Sequence, residues 1–122
     1  MGENREYVTR PSDRGSINIS EEVISIIAST AASEVEGVAG LTTTVGKDLA
    51  ERFGRKILSK GVKITVEEDQ IIADVCIIVK LGYPVNEVAS KVQASVSTAI
   101  ESMTGFKVLT ANVNICGVAL NK

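Results

Sequence analysis

Few side chains in this sequence could carry chemistry, and their types and spacing limit what it could be. Cys76 and Cys116 are the two cysteines, far apart in the chain, and neither lies in a CxxC pair. The thiol spacing of zinc and thioredoxin-type sites is therefore absent. Two small, half-buried strand residues in a reducing compartment is the plainer reading. Gly37-Val38-Ala39-Gly40 is a GxxG segment, followed by a modest basic cluster of Arg52, Arg55, Lys56, Lys60 and Lys63. A glycine turn beside cations could meet phosphates. Glu34 and Glu36 stand immediately before the turn, where they would repel phosphate, and a helix end followed by a turn accounts for both glycines. General acid–base work needs two carboxyls that converge in a cleft. Glu34 and Glu36, near a helix end with Glu21 and Glu22 upstream, would diverge instead. Glu67, Glu68 and Asp69 have the composition of a hard-cation site, but a hairpin turn explains them and calcium loops need more ligands at defined spacing.

Composition removes much of the remaining chemistry. The chain of 122 residues has no His, so a Ser-His-Asp triad, a Cys-His pair and a His-ligated metal site are all excluded. It has no Trp, two Phe and two Tyr, too few for a stacking platform for single-stranded bases. The net charge of -2, from 13 basic and 15 acidic residues, argues against a strongly cationic nucleic-acid binder. No catalytic residue, cofactor or metal is expected. Met1 to Glu6 lacks an apolar stretch, and the longest apolar run, Val75 to Val79, is too short to span a bilayer. A soluble cytosolic protein without direct membrane insertion is expected, reaching a membrane only through a partner or a surface patch.

These residues need elements to position them. Residues 1–14 are polar and charged and read as a flexible N-terminal tail, leaving one domain over 15–120. Ser16 to Ile19 alternates as a short strand. Ser20 is a good N-cap for a helix over about Glu21 to Val35, whose two apolar stripes predict burial on two sides. Val45, Leu49, Phe53 and Ile57 fall four apart and predict a second helix over 45–58, weakened by Gly46 and Gly54. Val62 to Val66 and Ile71 to Lys80 read as a hairpin with a polar turn over Glu67 to Gln70. Val85, Val88, Val92, Val96, Ile100 and Met103 mark a third helix, with Pro84 in its first turn and Gly105 after its end. A last strand alternates, with Leu109, Ala111, Val113 and Ile115 on one side. The order is β-α-α-β-β-α-β, an α+β single domain with a small mixed sheet and its helices packed on one face. The opposite face would carry Ile72, Cys76, Ile78, Asn112 and Asn114, apolar enough to suit self-association or a partner.

Four segments carry a resemblance. They are Gly15 to Ile24, Ile27 to Val38, Lys60 to Ile64, and Met103 to Phe106 leading to Val113 to Val118. Together they cover nearly all of residues 15–118, and Ala31-Ala32-Ser33-Glu34-Val35-Glu36-Gly37-Val38-Ala39-Gly40 is the most specific stretch. On them the chain resembles the alkaline shock protein family of Gram-positive bacteria, small cytosolic proteins linked to cell-envelope stress. The resemblance implies a non-enzymatic general stress or housekeeping protein that acts through protein–protein contacts. Two routes follow from it: a scaffold tethered at the inner face of the membrane by an integral membrane anchor, or a modulator of a lipid-synthesis enzyme. A homo-oligomer is compatible with both. The partner-binding surface expected on physical grounds is Ile72, Cys76, Ile78, Asn112 and Asn114. The alternative is an RNA-binding module resembling a K-homology domain, whose element order is similar, using Gly37 and Gly40 with Arg52, Arg55 and Lys56.

Overall fold

The computed structural model describes residues 7–42, 61–68 and 70–120. Strands β1 (Tyr7–Ser12) and β2 (Gly15–Ser20) form an antiparallel hairpin, with Ser12 opposite Gly15. Part of the expected tail is therefore a strand. Its polar sequence hid it, because its pairing partner is a neighbouring strand and not a core.

β2 runs directly into helix α1 (Glu21–Ser33). Ser20 is extended, and its hydroxyl accepts a hydrogen bond from the Val23 N–H at 3.2 Å. Glu21 and Glu22 add negative charge at the positive helix end. Ile24, Ala28, Ala31 and Ala32 face the core. Their small side chains let the second helix, α2 (Val85–Thr104), come close enough for the Ser95 hydroxyl to donate to the Ala31 carbonyl at 3.2 Å. The expected burial of α1 on two sides does not occur, since Val23 and Ile26 are 46% and 42% exposed. One neighbouring helix and one sheet cover only one stripe.

Strand β3 (Val38–Leu41) follows α1, where the sequence suggested only a break at two glycines. The helix expected over 45–58 lies outside the described residues. Strands β4 (Val62–Glu67) and β5 (Gln70–Lys80) form the predicted hairpin, closed where Glu67 meets Gln70. α2 then carries the chain across to β6 (Lys107–Ala119), which pairs parallel with β5 along its whole length. Pro84 caps α2 from just outside it, and Gly105 ends it in the left-handed region at φ +82°. Thr104 seals this corner: its hydroxyl donates to the Ile100 carbonyl at 2.6 Å and accepts from the Phe106 N–H at 3.1 Å.

β5 is the middle of the sheet. β4 and β3 follow one another along one of its edges, both antiparallel, and β6 occupies the other. Ile71, Ala73, Val75, Ile77 and Val79 form the inner face and are buried against Ile24 and Ala28 of α1 and Val92, Val96 and Ile100 of α2. The result is the expected α+β domain, a mixed sheet with its helices on one face. One face assignment in β6 is corrected. A bulge between Val108 and Thr110 sets Val108 beside Ile71 against the core and leaves Leu109 51% exposed, which strict alternation could not foresee.

Candidate functional site

The register of β5 and β6 assembles the outer sheet face. Ile72, Asp74, Cys76 and Ile78 stand beside Thr110, Asn112, Asn114 and Gly117. The two asparagines tie the strands together: the Asn112 amide donates to the Asp74 carboxylate at 2.9 Å, and the Asn114 amide to the Val75 carbonyl at 3.4 Å. Gly117 makes room for Ile78, whose Cδ1 would lie 2.9 Å from any Cβ at that position. Ile72, Ile78 and Asn114 are partly exposed, Asn112 is exposed, and Cys76 is fully buried beneath them. The five expected surface residues thus share one face, with Cys76 as its floor.

The same register brings the two thiols together, which sequence spacing did not reveal. Cys116 lies two residues beyond Asn114, the neighbour of Cys76, and its thiol donates to the Asn114 carbonyl at 3.7 Å. Both cysteines are free. Burial, then the contact with Cys116, then the nearby Asp74 carboxylate push the Cys76 thiol up to about 12. Cys76 is therefore a protonated, inert thiol at neutral pH and not a nucleophile. A Cys in β5 and another two residues past its register partner in β6 could have signalled this contact only with the parallel register in hand.

The GxxG segment is not a loop between helices. Gly37 is a buried turn residue at φ +99° between α1 and β3, and a Cβ there would lie 2.8 Å from Val88 Cγ2 and 2.9 Å from Tyr83 Cδ2. Gly40 lies within β3, paired with Ile78. Beside the turn, the Tyr83 hydroxyl donates to the Glu36 carboxylate at 3.5 Å, adding an acidic group where phosphate would have to approach. The glycines serve packing and strand pairing, which removes the geometric basis of the K-homology alternative. Arg52, Arg55 and Lys56 lie outside the described residues. Among the described residues, no cluster of three or more Cys, Asp or Glu could hold a metal ion, and no helix is long and apolar enough to cross a membrane.

The model of the alkaline shock protein 23 family, described as having a cell envelope-related function, matches residues 9–120. The chain belongs to this family. Its relatives in the alkaline shock protein family include the uncharacterized protein YqhY of Bacillus subtilis, 36% identical over 85% of this chain and 77% of that protein. The uncharacterized protein YloU of the same organism is 34% identical over 85% of this chain and 88% of that one. The uncharacterized protein Spy1535 of Streptococcus pyogenes is 31% identical over 88% and 82%. Among solved structures, a variant of the domain named MamM CTD matches with a TM-score of 0.55 over 84% of this chain and 94% of that one. At 18% identity that likeness is one of fold alone.

Proposed function

We propose that this member of the alkaline shock protein family serves the cell envelope as a non-enzymatic adaptor that holds a protein partner on its outer sheet face. The observation that carries this reading is the pair Ile72 and Ile78. Both are large apolar side chains on the side of β5 turned away from α1 and α2, and both keep exposed surface. Around them lie Asn112 and Asn114, polar groups already engaged with Asp74 and Val75. An apolar centre with a satisfied polar surround is the composition of a protein-binding patch. The inert Cys76 beneath it fits a structural floor better than a reactive centre. The partner is either an integral membrane protein that tethers the domain at the inner face of the membrane or a soluble enzyme of lipid synthesis. The domain itself works from the cytoplasm.

Crosslinked affinity capture from nuclease-treated lysate tests this. Wild-type protein is expected to enrich a membrane protein or a lipid-synthesis enzyme. Ile78→Asp, which sets a charge in the apolar centre, is expected to reduce that recovery by about tenfold or more while the circular dichroism spectrum is unchanged. Undiminished recovery by folded Ile78→Asp would overturn the assignment of the face.

A further inference from the structure

β6 is the longest strand described, with 13 residues, and β5 covers only one of its edges. The direction of its backbone groups follows from β5. The Cys76 N–H donates to the Gly61 carbonyl at 2.9 Å, and the Cys76 carbonyl accepts from the Thr42 N–H at 3.2 Å, so Cys76 faces away from β6 and Val75 faces toward it. In a parallel ladder Val75 then bonds the two residues flanking its neighbour Val113, namely Asn112 and Asn114. Ala111, Val113 and Ile115 therefore point their N–H and C=O groups away from β5. Beyond the bulge between Ile115 and Gly117, the Leu81 N–H donates to the Ala119 carbonyl at 3.0 Å, which turns Val118 outward as well.

α2 covers the first part of this edge. The Glu101 carboxylate accepts from the Val108 N–H at 2.9 Å, and the Gln93 amide donates to the Ala111 carbonyl at 3.0 Å. From Val113 onward, no described residue pairs with the outward groups. Proteins usually protect such an edge with Lys, Pro or inward charges. None is present, because Val108 to Leu120 contains no charged residue and no Pro. The short strand β4 on the other side of the sheet carries Lys63 and Glu67. Leu81, Val118 and Leu120, at 59%, 48% and 70% exposure, stand at the open end of β6.

We propose that the open half of β6 pairs antiparallel with the same strand of a second copy, so that two sheets become one. A second copy fits this edge for three reasons. Its open half is equally uncharged, so the two meet without repulsion. A two-fold between Cys116 and Gly117 sets Ile115 opposite Val118, open half against open half, and leaves the Gln93 and Glu101 contacts outside the junction. The exposed Val118 and Leu120 of each copy then lie against the neighbouring strand and lose water contact. This pairing uses the strand edge and not the outer face, so it stands or falls independently of the adaptor reading.

Sedimentation velocity across the micromolar range tests it. The wild-type chain is expected to reach twice 12.9 kDa, with slow exchange of the Val113, Ile115 and Val118 amides in the dimer. Val113→Pro removes an outward N–H without touching the ladder to β5. Val118→Lys combined with Leu120→Lys adds like charges at exposed positions. Each is expected to weaken the dimer by about tenfold or more. Ile78→Asp is expected to leave it intact. A wild-type monomer at every concentration would overturn the proposal, even if a different protein protects the same amides when added. A dimer undiminished in folded Val118→Lys/Leu120→Lys protein would also overturn it, whatever the fate of Val113→Pro.

Discussion

Gly37→Ala is expected to lower the unfolding free energy by about 2–5 kcal/mol, from about 1–2 for the left-handed backbone and about 1–3 for overpacking. Both causes are local. The backbone at Gly37 sits at φ +99°, and the added methyl would press on Val88 Cγ2 at 2.8 Å and on the Tyr83 ring. In a domain of this size the melting temperature falls by roughly 10 °C. Gly40→Ala is the control. No atom lies within 4 Å of a Cβ there, and its φ is ordinary, so its effect stays within about 0.5 kcal/mol. Paired thermal melts read the difference. A phosphate-clamping loop would need both glycines for access, whereas this packing account separates them.

Raising the pH above 9 is expected to destabilise the domain through Cys76. The thiol's ordinary value is 9.0, and in the folded protein it stands at about 12, held up by burial, by Cys116 and by Asp74. The unfolded chain therefore gives up this proton first as pH rises. The stabilisation is fully present below pH 9 and is lost as pH rises from 9 towards about 12, the range over which the unfolded chain alone has released the proton. Cys76→Ala removes the titrating group. Its stability at neutral pH falls because a buried side chain is lost, but its decline between pH 9 and 11 is expected to be shallower than that of the wild type. Denaturant unfolding curves at pH 7, 9, 10 and 11 for both proteins measure it, and parallel declines would rule out Cys76 as the source.

The elements of this domain that announce themselves in sequence are those whose burial repeats with a period. The helix beginning at Ser20, the hairpin of β4 and β5, and the stripe Val88, Val92, Val96 and Ile100 are all of that kind. β1 and β3 are not. Tyr7–Ser12 is a polar six-residue strand placed by its pairing with β2, and Val38–Leu41 is a four-residue strand placed by its pairing with β5. The site shows the same division. Alternation alone puts Ile72, Cys76 and Ile78 on one face of β5. The meeting of Asp74 with Asn112, and of Cys76 with Cys116, depends on a parallel register shifted by two bulges, and no local pattern encodes it. The exposed ends of the α2 stripe, Val85 at 43% and Met103 at 69%, show that a periodic apolar residue is buried only where another element reaches it.

The central claim is that a protein partner rests on the outer sheet face, and photo-crosslinking in living cells tests it most directly. A photoreactive amino acid at position 78 probes that face, and one at position 91, an exposed site on α2, probes the far side of the domain. The account predicts a discrete crosslinked band from position 78, identified by mass spectrometry as a membrane or lipid-synthesis protein, and no such band from position 91. Crosslinks from position 91 alone, or the same products from both positions, would contradict it.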